Sequence, residues 1–281
     1  MVSKILDGKE VASKWLKQLT AKIQKFDSPS SLALIRIGKD SASGIYLKKK
    51  EQACQKIGIK SKTINFEHDV EQDEIIEKIH DLNNDDSING IIVQTPLPPN
   101  LNTLDIQESI DSFKDVDGFT TSNLGRLAAG KPRLKPATPA GIMHLLAEYS
   151  LDVAGKHCVV VGRSNTVGKP LAQLLLMENA TITTAHSKTS NLSSITKQAD
   201  FLFVAVGKPN LISGKMIKKG AVVVDVGINR LNNGKICGDV DFTSAKKVAS
   251  YITPVPGGVG PMTVASLLAN TVLAYRLQHQ E

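Results

Sequence analysis

Tyr46, Lys50, Ala53 and Ile57 recur at i, i+4, i+7 and i+11, so on a helix they share one stripe while Lys48 and Lys49 point elsewhere. A lysine in such a stripe has two readings. Its stem snorkels along the edge of a core with the ammonium in water, or the ammonium is partly desolvated, which lowers its pKa toward the range that serves proton transfer. Tyr46, one turn earlier, can hydrogen-bond the ammonium or a ligand that both touch. Gln94 closes the apolar run Gly90-Ile91-Ile92-Val93 and precedes a segment stiffened by Pro96, Pro98 and Pro99. In α/β sheets ligands bind at such strand ends. Asp115-Val116-Asp117-Gly118 places two carboxylates beside a glycine, and for Asp115 the expected role is an Asx turn.

A second kind of chemistry is written at Cys158-Val159-Val160-Val161-Gly162-Arg163-Ser164-Asn165-Thr166-Val167-Gly168, an apolar strand feeding a glycine turn that opens a helix. Such a turn lets backbone N–H groups at a helix N-terminus approach a pyrophosphate, with glycine where a Cβ would collide with it. It is not G-x-G-x-x-G, because Ser164 stands at the second glycine, and it is not a Walker A loop, because Pro170 follows Lys169. The turn alone fits a ligand-free connection equally well. The end of the next strand, Ala185-His186-Ser187-Lys188-Thr189, lacks the carboxylate with which NAD sites hold the ribose 2′-hydroxyl. Arg163 and Ser187 instead offer a guanidinium and a hydroxyl to a 2′-phosphate, so NADP is predicted over NAD.

Elements that position these groups follow from patterning. Strand-length apolar runs at 32–37, 63–66, 91–94, 158–161, 181–185, 201–206, 221–226 and 251–253 alternate with amphipathic stretches at 43–57, 71–83, 139–149, 166–178 and 262–278. That alternation predicts two α/β lobes with a cleft between them, the second a Rossmann-like doubly wound parallel sheet. The Gly130-Lys131-Pro132-Arg133-Leu134-Lys135-Pro136 stretch reads as the crossing between lobes, with a boundary near 138.

A chain of 281 residues gives a prior of about two domains, and 41% hydrophobic with 22% charged residues excludes wholesale disorder. Apolar runs reach about six residues, far short of the ~20 of a membrane span. The first twenty residues carry Lys4, Asp7, Lys9, Glu10, Lys14 and Lys17 around no apolar core, so a cytoplasmic protein is expected. The three cysteines sit in or beside apolar runs and read as buried thiols, and no metal-ligand spacing occurs. The net charge of +7 is dispersed, and with 4% aromatic residues no basic and aromatic side chains interleave, which argues against nucleic-acid binding.

These motifs together resemble one family, the bifunctional 5,10-methylenetetrahydrofolate dehydrogenase/5,10-methenyltetrahydrofolate cyclohydrolases, or FolD proteins. The likeness runs through Tyr46-x-x-x-Lys50, Val93-Gln94-Thr95-Pro96-Leu97-Pro98, Lys114-Asp115-Val116-Asp117-Gly118-Phe119, Val161-Gly162-Arg163-Ser164-Asn165, Asp225-Val226-Gly227-Ile228-Asn229, Gly238-Asp239-Val240 and Thr253-Pro254-Val255-Pro256-Gly257-Gly258-Val259-Gly260-Pro261. The resemblance implies NADP-dependent oxidation of the methylene bridge and hydrolysis of the methenyl product to 10-formyltetrahydrofolate at one site. It implies a proton-transfer role for Lys50, folate positioning by Tyr46, tuning of the lysine by Gln94 and pterin anchoring by Asp117. Pro256, Gly257, Gly258, Val259 and Gly260 would line the folate site, and Gly162, Arg163, Ser164, Ser187 and Ile228 would hold NADP. It also implies a discontinuous folate domain, 1–138 plus 264–281, around an NADP domain at 139–263, and a homodimer formed through the latter.

Thr95 and Ala137 depart from the leucine and cysteine usual in the family, at positions that carry no proposed chemistry. Three rival readings are weighed against this one. Short-chain dehydrogenases also carry Tyr-x-x-x-Lys, but there the glycine turn comes first, whereas Gly162 follows Lys50 by more than a hundred residues. A non-catalytic NADP- and folate-binding module, or a dehydrogenase without the hydrolytic step, keeps the fold without full turnover.

Overall fold

The computed structural model describes residues 3–38, 41–231 and 233–279, without the side chains of residues 41–43, 45 and 46. In chain order the elements are β1 (Lys4–Ile5), α1 (Gly8–Ile23), β2 (Ser31–Ile37), α2 (Ser41–Ile57), β3 (Lys60–Phe66), α3 (Gln72–Asn83), β4 (Gly90–Val93), α4 (Thr103–Glu108), α5 (Thr121–Ala128) and α6 (Ala137–Glu148). They continue with β5 (His157–Val161), α7 (Gly168–Met177), β6 (Thr181–Ala185), α8 (Leu192–Thr196), β7 (Phe201–Val204), β8 (Val222–Asp225), β9 (Asn229–Arg230), β10 (Ile236–Cys237), α9 (Phe242–Ala245), β11 (Tyr251–Ile252) and α10 (Val259–His279). Two compact units result, one of Lys14–Ala137 with Val264–Glu281, the other of Met1–Ser13 with Thr138–Thr263.

In the first unit three parallel strands run in the order β3-β2-β4. The central run Leu32-Ala33-Leu34-Ile35 is fully buried, which is why it is apolar without alternation: helices cover both faces. Leu32 and Leu34 pack with Leu47, Cys54 and Ile57 of α2 and with Leu267, Leu268 and Val272 of α10. Ala33, Ile35 and Ile37 pack on the other face with Ile75, Ile79 and Leu82 of α3. Lys114 is buried below α3 and its Nζ donates to the carbonyls of Leu82, Asn83 and Asp85 at 3.0, 2.8 and 2.9 Å. A cation there meets the negative end of the helix dipole and supplies donors that the last turn lacks.

The second unit holds a six-stranded parallel sheet in the order β1-β11-β8-β7-β5-β6. From β5 the chain winds outward to β6, then returns to β7 and proceeds the other way, so the winding reverses between β5 and β7. That reversal is the topological switch point at which doubly wound sheets bind ligands. Val159, Val161, Leu202, Val204 and Val223 form its core.

Two expectations need correction. Residues 3–13 do not fold with the three-strand unit: Lys4 and Ile5 pair with Tyr251 and Ile252 at the edge of the six-stranded sheet. The 130–136 stretch comes just before the change of unit between Ala137 and Thr138, and its Leu134 is fully buried in the core of the three-strand unit. Cys54 and Cys158 are buried as expected, whereas Cys237 is only partly so, on the short β9–β10 hairpin.

Candidate active site and dinucleotide pocket

Strand β4 ends at Val93, opposite Ile35 of β2, and the ladder runs one bond further, from Gln94 N to the Ile35 carbonyl at 2.9 Å. Gln94 thus emerges at the carboxyl edge of the sheet. Its Nε2 donates to the Thr95 carbonyl at 2.9 Å, which turns Oε1 toward α2, where the half-buried Lys50 donates from Nζ to that oxygen at 3.0 Å. Gln94 therefore takes one of the three ammonium protons and aims the group. The Thr95–Pro96 peptide is cis. Tyr46 lies on α2 one turn before Lys50, but its side chain lies outside the described residues.

Asp117 sits in a turn built by its neighbour. The buried Asp115 carboxylate accepts from Gly118 N at 2.9 Å, Thr120 N and Oγ1 at 2.8 Å each, and Asn123 Nδ2 at 2.9 Å. The Asx turn expected at Asp115 is thus present. Gly118 has φ +75°, and a Cβ there would lie 2.7 Å from the backbone of Lys135 and Pro136. Asn270 of α10 clamps the same place, donating to the carbonyls of Val116 and Lys135 at 2.8 Å each. Burial pushes the Asp117 carboxyl above its usual range, the Lys50 charge pulls it back, and Asp115 adds to the rise. Asp117 and Lys50 therefore share one electrostatic neighbourhood.

In the six-strand unit a cavity of ≈ 460 Å³ opens at the carboxyl ends of β5, β6 and β7. Gly162, Arg163 and Ser164 line it from β5, His186, Ser187 and Thr189 from β6, and Ala205, Val206 and Lys208 from β7, with Leu192 and Leu211 as apolar walls. Guanidinium, hydroxyl and ammonium donors beside an apolar wall suit a phosphorylated nucleoside. The turn works differently from the sequence expectation. A Cβ on Gly162, at φ +133°, would lie 2.3 Å from the Ala205 carbonyl oxygen, and one on Gly168 would lie 2.3 Å from the Gly162 oxygen. Both glycines let protein backbone approach protein backbone. Ser164 Oγ accepts from Val167 N at 3.1 Å and Gly168 N at 3.3 Å, and its carbonyl accepts from Lys169 N at 3.0 Å. The first amides of α7 are thus taken by Ser164.

Ile228 is 48% exposed just after β8. Pro256, Gly257, Gly258, Val259 and Gly260 lead into α10 in the six-strand unit, where Gly258 N donates to the Pro254 carbonyl at 2.8 Å and Lys9 N to the Gly257 carbonyl at 3.2 Å. The structure thus groups Lys50, Gln94 and Asp117 in one unit and Gly162, Arg163, Ser164, Ser187, Ile228 and the Pro256 segment in the other. Thr189 lies in the 185–189 stretch that sequence reasoning brought to the pocket, whereas Lys208 was missed. Lys208 follows the β7 run Phe201-Leu202-Phe203-Val204 closely, and the rule that ligands gather at strand ends points to it.

Comparison with known proteins separates the same two groups of residues, although the family models divide the chain once and leave residues 6–13 and 264–279 on the other side from the units they pack in. The family model for the tetrahydrofolate dehydrogenase/cyclohydrolase catalytic domain matches residues 6–117, and that for the family's NAD(P)-binding domain matches residues 136–279. The chain is 51% identical to the bifunctional protein FolD of Acetivibrio thermocellus, over 99% of both sequences. The crystal structure of the bifunctional enzyme FolD from Campylobacter jejuni superposes with a TM-score of 0.96 at 48% identity, over 98% of this chain and 99% of that one. Trypanosoma brucei FolD, solved with NADP cofactor and inhibitor, gives 0.96 at 33% identity over 100% of both. Matched in both domains and across its length, the chain belongs to the tetrahydrofolate dehydrogenase/cyclohydrolase family.

Proposed function

We propose that the chain oxidises 5,10-methylenetetrahydrofolate with NADP⁺ and hydrolyses the methenyl product to 10-formyltetrahydrofolate, with Lys50 as the proton-transfer group. The observation that carries this reading is the Lys50 Nζ to Gln94 Oε1 hydrogen bond of 3.0 Å at the carboxyl edge of β4. When bound, NADP⁺ accepts a hydride from the methylene carbon. Hydride transfer needs orientation more than acid or base, since the folate nitrogen lone pair stabilises the cation formed. Hydrolysis does need proton traffic: water adds to the methenyl carbon, the bond from that carbon to N5 opens, one water proton ends on N5 and the other is released. Lys50, aimed by Gln94, serves that step, Asp117 holds the pterin, and Tyr46 positions the folate.

Arg163 and Ser187, with Gly162, Ser164 and Ile228, hold the dinucleotide and favour NADP. The segment from Pro256 to Gly260 contributes to folate binding. The protein acts in the cytoplasm on small anionic ligands and not on nucleic acid. Among the described residues no helix is long and apolar enough to cross a membrane. A homodimer through the six-strand unit is supported by the outer edge of β6 and by Leu176 and Met177, exposed by 63% and 39% just before it. Sedimentation equilibrium tests it, and a monomer at assay concentration excludes it.

Assays at the methenyl absorbance with both dinucleotides test the enzymatic reading. Lys50→Met is expected to lower hydrolysis by about 10²-fold or more while part of the dehydrogenase activity survives. Equal loss of both activities would make the lysine a structural group, and a wild-type preference for NAD would remove the roles of Arg163 and Ser187.

A further inference from the structure

Asp239 lies behind the cavity wall, is fully buried and accepts four hydrogen bonds. Oδ2 accepts from Val206 N at 2.7 Å and Gly207 N at 3.0 Å, and Oδ1 from Lys208 N at 2.9 Å and Asn229 Nδ2 at 2.8 Å. The backbone that carries it is itself held: Asp225, at the end of β8, accepts from Gly227 N at 3.1 Å, Asp239 N at 2.9 Å and Val240 N at 2.9 Å. Glycines make room for both acids. A Cβ on Gly227 would lie 2.2 Å from the Asp239 carboxyl carbon, and one on Gly238 would lie 1.8 Å from Asp225 Oδ2.

A buried carboxylate without partners is strongly disfavoured, so four donors converging on one side chain mark a designed contact. Its effect on the cavity is directional. Val206 and Lys208 line the cavity, yet the amides of 206–208 point inward to Asp239. They are therefore withdrawn from any phosphate, and the loop meets a ligand with its side chains, Lys208 among them. Gly207, with φ +65°, would otherwise leave this loop a wide choice of conformations.

We propose that Asp239 is a positioning residue for the dinucleotide, fixing the 206–208 loop as one wall of the cavity while Asp225 fixes Asp239. The proposal rests on the reading of the cavity as the dinucleotide site. Asp239→Asn in the full-length protein keeps the shape but turns an NH₂ toward backbone donors. The dissociation constant for NADP and its KM are expected to rise about tenfold or more, with kcat little changed, and hydrolysis of the methenyl substrate without dinucleotide is expected to fall less than about twofold. Gly227→Ala, which crowds the carboxylate without removing it, is expected to reproduce the pattern, and it carries the test where the asparagine variant does not fold. In the wild type without dinucleotide, the amides of 206–208 are expected to be protected from hydrogen exchange, and the variants to lose that protection. NADP affinity within about twofold of wild type, equal loss of binding and hydrolysis, or open-loop exchange rates in the wild type would each overturn the proposal. A wild-type protein that binds neither NADP nor NAD would instead overturn the reading of the cavity.

Discussion

Burial lifts the Asp225 carboxyl from 3.8 to about 6, against three backbone donors that favour the ionised form and with the Asp239 charge adding to the rise. Between those two values the folded protein keeps a proton that the unfolded chain has released, so this group's contribution to stability is full below 3.8 and declines as pH rises through 6. The slope is at most about 1.4 kcal/mol per pH unit. Asp225→Asn has no proton to release, so the stability gap between wild type and variant is expected to narrow between pH 4 and pH 7, by about 3 kcal/mol at most. Urea denaturation of both proteins across that range measures it, and a gap independent of pH would rule the linkage out. At this scale Lys50 and Gln94 were legible because a helix stripe and a strand end are local patterns. Asp239 was visible only inside a family motif, because three of its four donors are backbone amides more than thirty positions away whose direction no residue type announces. Cys54 and Cys158, pushed up to about 12 mainly by burial, are inert thiols, in keeping with their apolar surroundings in the sequence.

The turn between β5 and α7 shows what a glycine pattern does and does not say. Its position after a buried strand and before a helix was readable, but the role of its glycines was not, since Gly162 and Gly168 are required by the Ala205 carbonyl and by each other. A Cβ on Gly168 meets backbone, which no rotamer change relieves, so Gly168→Ala is expected to cost about 1–3 kcal/mol and to weaken NADP binding. Gly125 of α5 has nothing within 4 Å of its would-be Cβ. Gly125→Ala is therefore expected to be neutral or to raise stability by up to about 1 kcal/mol, and thermal unfolding of the pair separates crowding from propensity. All the long strands and five of the helices followed the alternation of apolar runs, while α1, Gly8–Ile23, passed unrecognised. In the 130–136 stretch Gly and Pro mark irregular backbone without saying whether it is packed, and here it packs on the Asp117 turn.

Over the whole molecule, chain order and spatial grouping part company. Leu6 is fully buried and its amide donates to the Ile252 carbonyl at 2.9 Å, so a residue near the start of the chain belongs to a sheet whose other strands begin at His157. Two residues of edge strand give almost no periodic signal, so nothing in the segment's own pattern set it apart from the 1–138 domain that the resemblance implies. Leu6→Ala is expected to cost about 2–5 kcal/mol, read by urea denaturation, and a loss below about 0.5 kcal/mol would show the segment to be dispensable. A matching dependence holds at the other end of the molecule. Asn270, on the helix that follows the whole six-strand unit, ties the carbonyls of Val116 and Lys135 around Asp117. A ribosome that has released the chain through Thr263 has delivered every residue of the six-strand unit, whereas the three-strand unit still lacks the clamp around Asp117, so the two units can mature in sequence rather than together.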